Sequence, residues 1–232
     1  MINIRKANDR GHFNHGWLDT YHTFSFGDYY EASQMSFRAL RVMNEDRVAP
    51  GMGFGMHGHR DMEIVTYVLS GALAHQDSLG HGETLRPGEL QRMSAGSGIR
   101  HSEINPSATK PVHLYQIWLL PRETGQTPSY EQKAFDLAGR TSQWQLVASP
   151  DGAQGSLTIH NDTRIHLAVL PAGQSLAYDI NPSRHAWLQV MRGQIHANDA
   201  ALFAGDGAAL SAEARLNLKS DDESEVMLFD LA

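Results

Sequence analysis

Hydrophobic residues in this chain fall in short runs, separated by closely spaced clusters of Gly, Pro, Asn and Asp. That rhythm predicts many short strands joined by tight turns, the texture of a sandwich or barrel. Glu63 to Leu69 reads as a strand rich in β-branched and aromatic side chains, with Ser70-Gly71 as the turn after it. Ala72 to Gln76, Leu90 to Met93, Ile99 to Ile104 and Val112 to Leu120 read as further strands. Turns are expected at Asp77-Ser78-Leu79-Gly80, Arg86-Pro87-Gly88-Glu89 and Ala95-Gly96-Ser97-Gly98. No segment in this stretch carries helical periodicity.

The second half repeats the scheme. Tyr67-Val68-Leu69-Ser70-Gly71-Ala72-Leu73-Ala74-His75 is matched by Gln189-Val190-Met191-Arg192-Gly193-Gln194-Ile195-His196-Ala197 in its apolar run, turn glycine and return. Pro87-Gly88-Glu89 has its counterpart in Gly205-Asp206-Gly207, and His113 to Leu119 in Glu225 to Leu231. A kept order of repeats points to a duplicated unit. The expected fold class is therefore all-β, two antiparallel β-barrels in tandem. The polar stretch around residues 121 to 145, with Pro121, Gly125, Pro128 and Gly139, is the expected connection, with a short helix around Tyr130 to Leu137. This divides the chain into a barrel at 1–125, a linker at 126–145 and a second barrel at 146–232.

Composition narrows the function. The chain has 232 residues and 41% hydrophobic content, enough for a substantial core. Its net charge of −7 lacks the basic surface that direct nucleic-acid binding needs, and argues against docking on anionic membranes. It has no cysteine, which excludes disulfides, thiolate metal sites and cysteine nucleophiles. The N-terminus MINIRKANDRGHFNHGW has no apolar segment of a signal peptide, and no run approaches a membrane span, so the expected location is the cytoplasm.

Histidine is abundant, at 13 residues, and neutral imidazole is the commonest metal-ligand side chain. Two pairs stand out, His57-Gly58-His59 and His101-Ser102-Glu103. On a strand, residues i and i+2 point to the same face, so each pair projects two ligand-type groups in one direction. With both pairs inward on neighbouring strands, three imidazoles and one carboxylate converge and leave open positions on a first-row metal. One His-x-His pair alone is usually surface decoration. Two pairs, each preceded by a glycine-rich stretch (Gly51-Met52-Gly53-Phe54-Gly55 and Gly96-Ser97-Gly98), are hard to obtain by accident.

These residues also carry a resemblance. Gly51-(x5)-His57-x-His59-(x3)-Glu63 resembles the first cupin motif, and Gly98-(x2)-His101-(x3)-Asn105 the end of the second. Arg5-Lys6-Ala7-Asn8, Gly16-Trp17-Leu18-Asp19, His22-Thr23-Phe24-Ser25-Phe26, His59-Arg60-Asp61-Met62-Glu63, His75-Gln76-Asp77-Ser78 and Ser94 to Glu103 together resemble the pirin family, most of all its bacterial members with quercetin 2,3-dioxygenase activity. The resemblance spans essentially the whole chain. It departs from the general cupin pattern where Gly71 sits one residue late and where no proline precedes Gly98.

The resemblance implies a bicupin of jelly-roll type with metal in the N-terminal barrel only. It passes the carboxylate-ligand role from Glu63 to Glu103, leaving Glu63 near the site or hydrogen-bonded in the core. The expected metal ligands are His57, His59, His101 and Glu103, holding one divalent transition metal. Iron, Fe(II), is favoured by the resemblance, with Cu, Mn, Co, Ni and Zn compatible with the ligand types. The implied reaction is opening of a flavonol's heterocyclic ring with O2 and release of carbon monoxide, with Glu103 as general base. Phe54, Met56, Met93 and Trp118 are candidate pocket walls. The alternative is a non-enzymatic, metal-dependent redox sensor or transcription-cofactor-like protein that acts through a protein partner.

Aligning Gly71 with Gly193 puts Asp179 and Asn181 in place of His57 and His59, and the positions of His101 and Glu103 fall among Leu216, Asn217 and Leu218. The second barrel is thus expected to hold no metal. His185 and His196 read as surface or satisfied histidines. His12, His15, His22, His75, His81, His113, His160 and His166 have no partner at ligand spacing; His22 and His75 lie in family-like segments and are candidates to border the pocket, with structural roles the expectation.

Overall fold

The structure is a computed structural model that describes residues 1–232. The chain forms β1 (Ile2–Arg5), β2 (Gly11–Asn14), β3 (Leu18–His22), β4 (Leu40–Val48), β5 (Gly53–His59), β6 (Glu63–Ser70), β7 (Leu73–Asp77), β8 (Gly82–Leu85), β9 (Glu89–Ser94), β10 (Ile99–Ile104), β11 (Val112–Leu119) and β12 (Ser129–Ala134). It continues with β13 (Gln145–Ser149), β14 (Leu157–Thr158), β15 (Thr163–Leu170), β16 (Ser175–Asp179), β17 (His185–Arg192), β18 (Gln194–Ala197), β19 (Ala200–Phe203), β20 (Gly207–Leu210), β21 (Arg215–Ser220) and β22 (Ser224–Leu231). Helix is limited to single 3₁₀ turns, and no helix is long and apolar enough to cross a membrane.

The expected all-β, two-unit jelly-roll architecture is present. Each unit is a pair of sheets and not a continuously hydrogen-bonded cylinder. The N-terminal unit comprises residues 11–135 and 157–161. Its larger sheet runs β12-β9-β6-β11-β4-β3-β2 and its smaller sheet β5-β10-β7-β8. The C-terminal unit comprises residues 1–10, 136–156 and 162–232. Its larger sheet contains β1-β20-β17-β22-β15-β13 in that order, and its smaller sheet runs β16-β21-β18-β19.

Two segments differ from the sequence reading. Residues 129–134, placed in a linker with a helix, form a strand paired with β9 from Ser129↔Ser94 to Ala134↔Glu89. An available sheet edge outweighs the weak helical preference of Tyr-Glu-Gln-Lys, because every residue gains a ladder partner. The first ten residues belong to the C-terminal unit, with β1 pairing from Ile2↔Leu210 to Arg5↔Gly207.

Period-two alternation decides what each unit encloses. In the N-terminal unit, Leu18, Val48, Val68, Leu73, Leu85, Val112 and Leu114 pack into one apolar cluster. Ile64, Met93, Ala95 and Ile99 pack into another, with Trp118 against it. The inward positions between these clusters are polar: Thr66 lies between Ile64 and Val68 on β6, and Gln116 between Leu114 and Trp118 on β11. The C-terminal unit has no such gap. Ala168, Leu188, Val190, Leu216, Leu218, Val226 and Leu228 belong to one continuous cluster.

Candidate metal centre

The two ligand-type pairs sit on neighbouring antiparallel strands, and the register puts His101 of β10 directly opposite His57 of β5. Alternation turns His57 and His59 to one face of β5 and leaves Gly58 exposed on the other. A register shift between His101 and Glu103 brings Phe54, not Gly55, opposite Glu103. Close strand crossing there needs glycine, since a Cβ on Gly53 would sit 2.2 Å from the Glu103 carbonyl oxygen.

The three imidazoles converge. Ring centroids lie 4.7 Å apart for His57 and His59, 4.5 Å for His57 and His101, and 4.8 Å for His59 and His101. The Nε2 atoms of His57 and His101 are 3.1 Å apart. Two nitrogens each about 2.1 Å from one ion, at a right angle, stand about 3.0 Å apart, so this spacing fits a shared first-row cation. Burial, reinforced by His57, holds His59 down to about 4. Burial together with His57, His59 and His75 holds His101 down to about 3. Both rings are therefore neutral at pH 7 and present lone pairs, the form a metal requires.

Glu103 is buried at the polar layer, where Gln116 donates to its Oε2 at 2.7 Å and the Thr66 hydroxyl to its Oε1 at 3.5 Å. Burial raises its carboxyl above the ordinary range. Its ligand oxygen groups with His75 and His101, whereas His57, His59 and His101 form a separate group. His101 joins the two, its Nε2 facing His57 and its Nδ1 lying 3.5 Å from Nδ1 of His75. His75 has partners after all: Gln91 lies 3.3 Å from its Nδ1 and Asp77 3.3 Å from its Nε2. Asp77 also bonds Nδ1 of His81 at 2.9 Å. Glu63 stands apart from both groups, buried and accepting from the Ser94 hydroxyl at 2.8 Å and the His160 amide at 3.1 Å.

The walls are only partly those expected. Trp118 meets His59 edge-on at 4.9 Å and Phe26 at 5.2 Å, and Phe54 lies 6.4 Å from His57. Met56 is 48% exposed and turned away, because it precedes His57 on the strand and so points to the opposite face. Met93 belongs to the apolar cluster below Trp118. Buried polar atoms of this unit that lack a partner include Asn44 Oδ1, Asp46 Oδ1 and Trp118 Nε1. Burial pushes the Asp46 carboxyl up to about 7. Unsatisfied buried polar atoms around a cluster of donors are what a ligand-receiving cavity leaves in the free protein.

Comparison with known proteins agrees with this geometry. The pirin family pattern matches residues 3–119. The chain belongs to the pirin family. The quercetinase C-terminal cupin domain pattern matches residues 146–231 of this pirin-family chain, in keeping with its second jelly roll. Quercetin 2,3-dioxygenase of Escherichia coli strain K12 is 50% identical over 232 residues, covering 100% of this chain and 99% of that one. A pirin-like protein of Caulobacter vibrioides is 39% identical over 236 residues, covering 100% of both. The crystal structure of the bacterial pirin YhhW from Escherichia coli in complex with nickel(II) superposes with a TM-score of 0.95 at 49% identity, covering 100% of this chain and 99% of that one.

Within this pirin-family chain, reading by spacing alone missed His75, Thr66 and Gln116. A signal existed: Thr66, Gln116, Asn44 and Asp46 are polar residues at inward positions of otherwise apolar strands, a local conflict that marks a site.

Proposed function

We propose that this chain is a metal-dependent dioxygenase of the quercetin 2,3-dioxygenase type, opening the heterocyclic ring of a flavonol with O2 and releasing carbon monoxide. The observation that carries the reading is the convergence of His57, His59 and His101, with two imidazole nitrogens 3.1 Å apart in a buried polar layer. The 50% identical relative from Escherichia coli supports the choice of reaction.

His57, His59, His101 and Glu103 are the proposed ligands of one divalent first-row ion, with iron and nickel both suited to the donor set. When bound, the ion supplies Lewis acidity that lowers the pKa of the flavonol 3-hydroxyl. Glu103, once released from its ligand role, accepts that proton as general base. Gln116 and Thr66 hold the carboxylate in place during the transfer. Trp118 and Phe26, edge-on to one another, orient a flat ring against His59. The unpartnered atoms of Asn44, Asp46 and Trp118 receive the substrate's hydroxyl and carbonyl groups.

The test is quercetin turnover under air, followed as loss of flavonol absorbance and release of carbon monoxide, with protein of known metal content. Turnover that depends on metal and disappears in His57→Ala/His101→Ala is the expected result. Absence of turnover in iron, copper, manganese, cobalt and nickel forms, with metal bound, would replace this reading by the non-enzymatic, partner-binding alternative.

A further inference from the structure

The strands whose inner face carries the imidazoles have a different outer face. Alternation sends Arg60 and Gly58 outward from the β5 segment, and Arg100 outward from β10 between Ile99 and His101. The register places Arg100 opposite Gly58. Arg60 and Arg100 line one cleft of about 390 Å³ with Gly58, His59, Ser78, Gly98 and Ile99. That volume falls within the range of small-molecule sites, roughly 300–1,000 Å³.

The two guanidinium groups have no hydrogen-bonding or ion-pair partner; the only bonds Arg100 makes are main-chain ones, with Ser78. Elsewhere in this chain of net charge −7, Arg47 pairs with Glu45, Arg92 with Glu131, Arg184 with Asp230 and Arg215 with Asp179. The neighbouring carboxylate of Asp61 is engaged by the Gly125 amide at 2.6 Å. The floor is open by sequence and not by packing. A Cβ on Gly58 would meet only the Ile99 carbonyl at 3.7 Å and Arg100 Cγ at 3.8 Å, ordinary contacts that any small side chain could make. Two guanidiniums lining one cleft can each donate N–H···O bonds to a tetrahedral dianion.

We propose that the cleft formed by Gly58, Arg60, Ser78, Gly98 and Arg100 is a binding site for a small phosphate-class dianion. The cleft is built from the same two strands as the imidazole cluster and borders it at His59, while its arginines are residues outside that cluster. The volume leaves room for a small organic group beside the phosphate, so a phosphomonoester fits as well as the free ion.

Calorimetric titration of the metal-loaded, full-length protein with inorganic phosphate, in chloride buffer of fixed ionic strength, tests this. The expected result is saturable binding with a Kd below about 1 mM. Binding weakens at least tenfold in Arg60→Gln/Arg100→Gln, and about threefold or more in each single variant. Lys110→Gln/Lys219→Gln, which removes two exposed charges elsewhere, leaves it within about twofold. Phenyl phosphate serves as a second probe: tighter binding than inorganic phosphate assigns the site to esters, equal binding to the free ion. The proposal is overturned if the wild type shows no saturation, if the double arginine variant binds as well as the wild type (which would place phosphate at the metal), or if the lysine variant loses as much as the arginine one.

Discussion

In the N-terminal unit, Thr66 of β6 stands opposite Gln116 of β11. In the C-terminal unit the same places on the central strand pair, β17 and β22, hold Leu188 opposite Leu228. The small sheets differ in the same way. His57 faces His101 in one, and Tyr178 faces Leu216 in the other. Glu103 beside His75 becomes Leu218 beside Ala197. One scaffold thus closes its middle layer with hydrocarbon or opens it to ligand chemistry, by changing a handful of inward residues. The mouths differ too. Where Trp118 meets His59 edge-on, the matching position on β22 is Asp230, which accepts from the Tyr178 hydroxyl at 2.7 Å and pairs with Arg184. An ion pair thus stands where the N-terminal unit has Trp118, whose Nε1 lacks a partner.

The sharpest way to break this comparison is to put the N-terminal carboxylate into the C-terminal layer. Leu218→Glu places a carboxyl among leucines with no Gln or Thr donor, and should destabilise the protein by about 3–5 kcal/mol. Urea unfolding followed by tryptophan fluorescence reads the loss; a cost below about 1 kcal/mol would mean the C-terminal layer tolerates charge as the N-terminal one does.

Next in size is the support that the C-terminal unit lacks. His75 is held by Gln91 and Asp77 and lies against His101. His75→Ala should weaken metal binding about 10- to 100-fold, the range for residues that orient ligands. Chelator competition measures it, and an unchanged affinity would reduce His75 to a packing residue.

The smallest expected effect concerns His166, on the inward face of β15 beside Trp144 and Tyr178. Burial lowers it from the ordinary 6.5 to about 4. The unfolded chain therefore binds a proton that the folded one refuses. The stability conferred by the neutral ring is fully present above pH 6.5 and is lost as pH falls from 6.5 towards 4. His166→Phe should flatten this part of the stability curve by on the order of 1 kcal/mol, allowing for partial solvent screening. Equal slopes in variant and wild type between pH 6.5 and 4 would assign the acid sensitivity elsewhere.

Much of this was legible in the sequence, for definite reasons. Strands such as Ile99–Ile104 and Glu63–Ser70 were visible because alternation and turn glycines bound them. The two ligand-type pairs were visible because i and i+2 share a face whatever the partner strand. What depended on pairing between distant strands was not visible. Aligning turn glycines put Asp179 and Asn181 in the His57 and His59 places, but the observed register puts Tyr178 opposite Leu216. One residue of slip exchanges the faces of a strand, so gap-free alignment from a remote turn selected the outward side. His75 was missed for a related reason: its neighbour Glu103 is remote in sequence and reached only through the β7–β10 ladder. The strand at 129–134 was missed because a polar edge strand has no apolar period to announce it.

The central claim is that one polar layer, in one of two related units, holds one metal ion. Native mass spectrometry during titration of the metal-free, full-length protein with nickel(II) tests it most directly, alongside His57→Ala/His101→Ala. The account predicts a single tightly bound ion per chain in the wild type and none in the variant. A second tight ion, or undiminished binding in the variant, would contradict it.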